Sequence, residues 1–186
     1  MRTMVIGAGG MLAADLVPLL SRRGHDILAA DLVPPSQQGR DGWPFPHTEL
    51  DMTDLGAVRA AAQGFGAELV INCAAYNKVD QAESEEQQAR EVNGFGVQNL
   101  CLVCQERDVP LVHFSTDYVF DGTKQSPYTI HDDPNPLGAY GRSKLLGERY
   151  VLWLLNKFYL VRTTWLFGTH GPNFIDTMLE IGGKKD

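Results

Sequence analysis

The chain has 186 residues, 44% of them hydrophobic and 21% charged, which indicates a globular domain with its own core and argues against a disordered segment. A formal net charge of −7 argues against a general binder of nucleic acid or of anionic membranes. The N-terminal apolar run is too short for a signal peptide and no apolar run reaches the ~18–20 residues of a membrane helix, so we expect a cytoplasmic protein.

Apolar strands and amphipathic helices alternate along the chain. The first strand ends in a glycine turn, and the helix after it contains Pro18, which we expect to bend or shorten that helix. Two polar segments, residues 33–46 and 121–139, are predicted loops. The predicted strands lie within residues 3–6, 25–31, 48–54, 67–75, 109–120 and 158–167, and the predicted helices within residues 11–24, 55–65, 84–108, around 140 and toward 183.

The predicted strands read as continuous hydrophobic runs. Such runs are typical of a parallel sheet that helices cover on both faces. We see no internal repeat and no low-complexity linker. The sequence therefore predicts an α/β fold, a doubly wound parallel sheet of the Rossmann type.

The three cysteines are too few for a disulfide framework. Cys101 and Cys104 form a C-x-x-C pattern, but they lie in an apolar helix pattern with no second Cys/His pair at zinc spacing. We expect them to be buried structural thiols rather than a redox or metal site.

A glycine turn directly follows the first strand and opens the first helix. Gly7, Gly10 and Ala13 have the G-x-x-G-x-x-[G/A] spacing of a dinucleotide-binding turn, in which backbone N–H groups at the helix N-terminus face a pyrophosphate. The alternative is a tight strand–helix connection with no ligand. Asp31, at the end of the second strand, favours dinucleotide binding, because a carboxylate there can accept hydrogen bonds from ribose hydroxyls. It would repel a ribose 2′-phosphate and so leans toward NADH over NADPH, with Arg40 as the slim opposing evidence.

A tyrosine and a lysine, Tyr140 and Lys144, are spaced to lie on one face of a helix. Alone, the pair is as consistent with a solvated helix face as with a proton donor and its tuning cation. A lysine ammonium one turn from a tyrosine favours the phenolate and would lower its pKa from ~10 toward the range useful for proton transfer.

Seven segments, taken in order, resemble the extended short-chain dehydrogenases/reductases, and among them the dTDP-4-dehydrorhamnose reductase family. They are "GAGGMLA", "LDMTD", "VINCAAYNKVDQAES", "VNGFGVQNL", "FSTDYVFDG", "YGRSKLLGE" and "RTTWLFGTHGPNF". The resemblance implies NAD(P)H-dependent reduction of the 4-keto group of dTDP-4-dehydro-L-rhamnose, for surface polysaccharide synthesis. The implied partner is a nucleotide-sugar substrate, and a homodimer is compatible with the family.

The resemblance also implies site residues. Asn93 falls where the family has a structural or proton-relay asparagine. The implied catalytic residues are Thr116, Tyr140 and Lys144. The implied coenzyme residues are Gly7, Gly10, Met11, Leu12, Asp31, Asp51, Met52, Ala74, Ala75, Tyr76, Tyr140 and Lys144. The implied substrate residues are Thr116, Asp117, Tyr118 and Trp165.

Several of these assignments have a structural alternative. Thr116 could cap the turn after its strand, Asn93 could bond only to backbone, and Trp165 could be a core aromatic. Asp51 and Asp54 could be the turn and N-cap residues of the next helix.

Family members continue into a smaller region that closes over the nucleotide-sugar, and here we expect that C-terminal substrate region to be largely absent. We predict a dinucleotide-binding domain at residues 1–169 and the start of the substrate region at residues 170–186. The family can hold Mg²⁺ at a dimer contact, and Asp15 falls near one such position, but we predict no metal site.

Two other functions stay open. One is a nucleotide-sugar epimerase or dehydratase of the same fold, which would retain its coenzyme through turnover. The other is a dinucleotide-binding regulatory subunit without turnover, against which the retention of Thr116, Tyr140 and Lys144 argues.

Overall fold

The computed structural model describes residues 1–33, 43–171 and 173–183. Within them, six strands form one sheet, and every neighbouring pair is parallel. The strands are β1 (Arg2–Ile6), β2 (Asp26–Asp31), β3 (His47–Glu49), β4 (Leu69–Asn72), β5 (Leu111–Thr116) and β6 (Phe158–Thr163). Their order is β3-β2-β1-β4-β5-β6, the doubly wound order of a Rossmann fold, so the predicted fold class is confirmed.

Six α-helices connect and cover the strands. They are α1 (Met11–Arg22), α2 (Leu55–Phe65), α3 (Glu86–Arg90), α4 (Val97–Arg107), α5 (Ala139–Leu154) and α6 (Phe174–Gly183). A π-helical segment, Glu91–Gly96, joins α3 to α4 without a break, so the predicted helix at 84–108 is one helical stretch with a local widening. Short 3₁₀ turns occupy Gln81–Glu83 and Asp117–Val119. Among the described residues, no helix is long and apolar enough to cross a membrane.

The core lies on both faces of the sheet because successive strand residues point to opposite sides. On one face, Met4 and Ile6 of β1 belong to the cluster that α2, α4 and α5 complete. On the other face, Val5 packs with Ala13 and Val17 of α1. This two-sided burial explains why the strands are hydrophobic runs rather than alternating patterns.

Element ends differ from the predictions in a few places. Helix α1 continues through Pro18 and ends at Arg22, and Gly24 follows with a φ of +82°, as expected of a C-terminal glycine. The predicted strand at 158–167 ends at Thr163, because Trp165 has a φ of 51° that an extended strand cannot contain. Most of the predicted loop 33–46, with Arg40, lies outside the described residues.

Candidate active site

The glycine turn after β1 brings two strand ends into close contact. Gly7 has a φ of +76°, and its amide donates to the carbonyl of Ala30 at 2.8 Å. A Cβ at Gly7 would collide with the backbone of Ala74, which follows β4. Gly10 donates to the carbonyl of Gly7 at 3.0 Å and serves as the N-cap residue of α1. The turn therefore requires glycine at position 7 for both its conformation and its space.

Asp31 is held beside this turn at the end of β2. Its Oδ2 accepts a hydrogen bond from the amide of Gly9 at 2.8 Å, and its Oδ1 accepts from the amide of Val33 at 3.3 Å. Asp31 also lines a cavity beside the turn, where a carboxylate can accept hydrogen bonds from ribose hydroxyls. The structure thus brings the predicted acidic residue and the glycine turn together.

A cavity of about 250 Å³ lies where the strand order reverses between β1 and β4, at the carboxyl ends of the strands. Open α/β sheets bind ligands at this position. The predicted coenzyme residues that line the cavity are Gly7, Gly10, Asp31, Asp51, Met52, Ala74 and Ala75. Other predicted coenzyme residues do not line it, namely Met11, Leu12, Tyr76, Tyr140 and Lys144.

Asp51 and Asp54 also have the structural roles considered above. The Oδ1 atom of Asp51 accepts from the amide and the hydroxyl of Thr53 at 2.8 and 2.7 Å, closing a turn. Asp54 caps α2 by accepting from the amide of Ala57 at 3.0 Å. Asp51 lines the cavity as well, so its turn role and a coenzyme role are compatible.

Asn93 is buried in the π-helical segment and fixes the backbone of Tyr76. Its Oδ1 accepts from the Tyr76 amide at 2.9 Å, and its Nδ2 donates to the Tyr76 carbonyl at 2.9 Å. The same Nδ2 donates to Ser143 Oγ on α5 at 2.9 Å. The hydroxyl of Tyr76 is bonded to a different residue, and it donates to Glu85 Oε2 at 2.7 Å. Asn93 therefore ties the segment after β4 to the helix that carries Tyr140.

Thr116, Asp117 and Tyr140 meet at the end of β5. Thr116 Oγ1 donates to Asp117 Oδ1 at 3.1 Å and accepts from the amide of Tyr118 at 3.2 Å. It also lies close enough to the hydroxyl of Tyr140 to affect the pKa of that group. The Thr116 hydroxyl thus caps the 3₁₀ turn and also lies beside Tyr140. Asp117 Oδ2 accepts from Thr164 at 2.7 Å. Asp117 therefore links Thr116, beside Tyr140, to Thr164 at the end of β6.

The electrostatics of Tyr140 differ from the sequence prediction of a pKa lowered by Lys144. The pKa of Tyr140 is raised, chiefly because burial disfavours the phenolate, and the negative charge of Asp117 adds to the rise. The nearby hydroxyl of Thr116 opposes this rise but does not cancel it. Lys144 Nζ instead donates to the carbonyl of Phe114 at 2.7 Å, and burial lowers its own pKa to about 8.

A second cavity, of about 450 Å³, opens beside Tyr140. Among the predicted site residues, Asp117, Tyr118 and Tyr140 line it, with Tyr118 and Tyr140 packed edge to face at 5.6 Å. Phe120 and Tyr128 stack in its wall at 4.1 Å. No lysine or arginine is among its lining residues, so it suits a neutral, hydroxyl-bearing ring better than a phosphate.

One wall of the second cavity belongs to the predicted loop 121–139. The Asp121 carboxylate accepts hydrogen bonds from the amide and hydroxyl of Thr123, from the hydroxyl of Tyr128 and from the amide group of Asn135. These donors stabilise the carboxylate and hold the pKa of Asp121 well below its usual range. The predicted polar loop 121–139 is therefore held together in part by hydrogen bonds to the Asp121 carboxylate.

Trp165 is neither a core aromatic nor part of either cavity lining. It is 68% exposed and packs edge to face on Phe174 with the ring centroids 4.5 Å apart. Its neighbour Thr164 is the residue that contacts Asp117. The structure therefore leaves its predicted substrate role as a prediction.

Two functional contacts escaped the sequence analysis. Glu83 Oε1 accepts from the amide of Ala139 at 2.7 Å and so caps the helix of Tyr140 from a distant segment. Thr164 orients Asp117 from the end of β6. Glu83 belongs to "KVDQAES", a segment within the quoted motifs, but only the tertiary contact shows its partner.

Cys101 and Cys104 are buried in the core, and burial raises the pKa of both thiols, that of Cys104 to about 12. The prediction of inert structural thiols is confirmed. Across the described ranges of the chain, no three His, Cys, Asp or Glu side chains form a group that could hold a metal ion.

Comparison with known proteins finds one family model and relatives that are named as reductases of dTDP-sugars. The model of the RmlD substrate binding domain family matches residues 1–186. A dTDP-4-keto-6-deoxy-D-glucose reductase of Streptomyces niveus is 41% identical over 97% of this chain and 58% of its own length. A dTDP-4-dehydrorhamnose reductase of Aggregatibacter actinomycetemcomitans is 39% identical over the whole chain and 58% of its own length.

The solved structures agree on the fold. The crystal structure of dTDP-4-dehydrorhamnose reductase from Bacillus anthracis, in complex with NADP, has a TM-score of 0.88 and 36% identity, over all of this chain and 60% of that chain. UDP-glucose 4-epimerase of Thermus thermophilus, in complex with NAD, has a TM-score of 0.83 at 23% identity, which shows a shared fold only. The chain spans between a half and two thirds of the length of these relatives.

Proposed function

This chain belongs to the RmlD substrate-binding domain family, and we propose that it serves the NAD(P)H-dependent reduction of the 4-keto group of dTDP-4-dehydro-L-rhamnose to dTDP-L-rhamnose. The product would supply surface polysaccharide synthesis. The observation that carries the proposal is the buried contact between the hydroxyls of Tyr140 and Thr116, at the same edge of the sheet as the glycine-turn cavity.

The first cavity fits the adenosine and pyrophosphate half of NADH or NADPH. Gly7 and Gly10 of the turn line this cavity, and position 7 has no space for a side chain. Asp31 lines the same cavity and would accept hydrogen bonds from ribose hydroxyls. When bound, the coenzyme supplies the hydride, and the protein supplies orientation and electrostatics. Ala74 and Ala75 would hold the coenzyme at the end of β4, where their small side chains leave room for it.

Tyr140 is the proton donor in this proposal. Its phenol is protonated at neutral pH, as reduction of a ketone requires, and the burial that raises its pKa makes it a weaker acid than a free tyrosine. The Thr116 hydroxyl, which donates to Asp117 here, would turn its proton to the substrate oxygen and hold that oxygen in line with the phenol, where negative charge develops. Lys144 supplies a buried positive charge one helical turn away. The neutral sugar ring occupies the cavity beside Asp117 and Tyr118.

Substitution of Tyr140 by phenylalanine tests the proposal. We expect Tyr140→Phe to lower kcat by about 10²–10⁴-fold, because the proton donor is lost. Coenzyme affinity, measured by calorimetry, should change little. Tyr159→Phe on the exposed edge strand is the matched control and should leave turnover unchanged. Turnover that survives Tyr140→Phe would exclude this role for the tyrosine.

The same assays separate the other functions. NAD⁺ that copurifies and stays bound through turnover would indicate an epimerase or dehydratase. Dinucleotide binding without turnover in the unaltered chain, and with no effect of Tyr140→Phe on any partner affinity, would indicate a regulatory subunit. Net oxidation of NADH or NADPH that depends on dTDP-4-dehydro-L-rhamnose would support the reductase.

A further inference from the structure

Glu148 is a buried carboxylate one helical turn beyond Lys144 on α5, and it is 0% exposed. Its Oε1 accepts from Arg162 Nε at 2.9 Å, and its Oε2 accepts from Arg162 Nη2 at 2.6 Å. Lys144 is also enclosed, and the Arg162 side chain is 23% exposed. Glu148 therefore joins α5 to the edge strand β6, and Lys144, one turn earlier, joins α5 to β5.

Packing alone does not explain this arrangement. A buried ion pair loses much of its attraction to desolvation, and apolar residues of similar size often replace such a pair without loss of stability. The carboxylate also lies on the same helix face as Lys144, since four residues separate them. An acidic residue at this position therefore has an electrostatic consequence that a leucine or methionine would lack.

Arg162 extends the arrangement to the second cavity. Its guanidinium lies over the ring of Phe120, 5.0 Å from the centroid, and Phe120 stacks on Tyr128. The bidentate pair with Glu148 fixes the guanidinium plane for this contact. The carboxylate is thereby anchored to β6 through Arg162.

We propose that Glu148 is a positioning residue for Lys144: its carboxylate, anchored by Arg162, keeps the lysine ammonium charged and bonded to the carbonyl of Phe114. This rests on the proposed function only in that the ammonium serves the Tyr140 site. The charge state of Lys144 can be measured without coenzyme, substrate or turnover, so the two proposals fail separately.

The other groups around Lys144 do not replace Glu148. On β5, His113 is buried and neutral, and the positive charge of Lys144 opposes its protonation. Arg162 on β6 is itself positive. Asp117, beyond β5, is engaged by the hydroxyls of Thr116 and Thr164. Burial lowers the pKa of Lys144, and Glu148 is the group whose charge raises it again.

The test is an NMR titration of lysine side chains labelled with ¹³C, with the Lys144 signal assigned by its loss in Lys144→Arg. In the unaltered chain, we expect Lys144 to titrate with a midpoint near 8. In Glu148→Gln, we expect the midpoint to fall by about one pH unit or more, because a nearby opposite charge is removed. Glu86→Gln is the matched control. It removes a carboxylate of α3 that pairs with Arg142 of α5 at the surface, and it should not change the Lys144 midpoint.

A double variant, Glu148→Gln with Arg162→Met, separates charge from structure. It removes the unpaired guanidinium that could unfold the single variant. We expect the Lys144 midpoint to stay low in the double variant even where stability recovers. An unchanged midpoint in either folded variant would overturn the proposal. If neither variant folds while Arg162→Met alone does, Glu148 serves the fold rather than Lys144, and the proposal is also overturned.

Discussion

At the scale of single residues, Tyr140 and Lys144 share a helix face but not a hydrogen bond. The tyrosine hydroxyl contacts Thr116, and the lysine ammonium contacts the carbonyl of Phe114. Burial dominates both groups and moves their pKa values in opposite directions, because it disfavours a phenolate and an ammonium alike. Lys144 is therefore not among the groups that set the pKa of Tyr140, and its role at the site stays a prediction.

Asp31 provides a prediction at this scale. Because its carboxylate lies beside the glycine turn, we expect Asp31→Asn to weaken NADH binding about tenfold, with the loss of charge-assisted hydrogen bonds to ribose. NADPH should lose less, since the repulsion of a 2′-phosphate also disappears. Calorimetric titration of both coenzymes measures the change. Asp26→Asn at the opposite end of the same strand is the control, and an equal loss in both variants would contradict a direct role for Asp31.

At the scale of elements, close contact between helices fixes the position of Tyr140. Gly147 of α5 faces the carbonyl of Asn93, and Gly94 faces the side chain of Leu146, so a side chain at either glycine would hold the π-helical segment and α5 apart. Asn93 adds its hydrogen bond to Ser143 at the same contact. Widened helical turns often occur at functional sites, and here the widening directs Asn93 toward both Tyr76 and α5.

A single methyl group tests this contact. A Cβ at position 147 would collide with the Asn93 carbonyl, so we expect Gly147→Ala to lower the free energy of unfolding by about 1–3 kcal/mol. Gly64→Ala in the last turn of α2 meets no neighbouring atom, and we expect it to stabilise the protein by about 0.4–1 kcal/mol. Urea unfolding of the two variants should give opposite signs. A neutral or stabilising Gly147→Ala would show that the helices can separate freely.

At the scale of the whole molecule, the sheet buries a polar pair in its centre. His113 of β5 and Asn72 of β4 are both fully buried, and Asn72 Nδ2 lies 3.0 Å from His113 Nδ1. Because Asn72 Oδ1 already accepts from the amide of Ala74, its Nδ2 donates to His113, which fixes a neutral imidazole. Burial and the charge of Lys144 hold the pKa of His113 well below its ordinary value.

This histidine makes stability depend on pH. Below about pH 6.5 the unfolded chain binds a proton at His113 that the native chain excludes, so the contribution of this residue falls by at most about 1.4 kcal/mol per pH unit. We expect His113→Gln to remove that slope and His131→Gln, on an exposed loop, to retain it. Urea unfolding at several values between about pH 5 and 8 measures the difference. Equal slopes in the unaltered chain and His113→Gln would contradict a neutral buried histidine.

The sequence by itself determined the α/β class, the positions of most strands and helices, and the turn that requires glycine at position 7. These follow from local patterns, because hydrophobic runs, helical periodicity and backbone conformation are properties of neighbouring residues. It also identified Asp31 and the spacing of Tyr140 and Lys144. The residue roles at the site came from resemblance to a family and stay predictions.

The tertiary structure alone decided which groups meet. Glu83 caps α5 across 56 residues of sequence, Thr164 reaches Asp117 across 47, and Asn93 reaches Ser143 across 50. It also decided the direction of the Tyr140 pKa, which depends on burial rather than on the spacing of the lysine. Burial and long-range hydrogen bonds arise only when distant segments pack, so no pattern of neighbouring residues contains them.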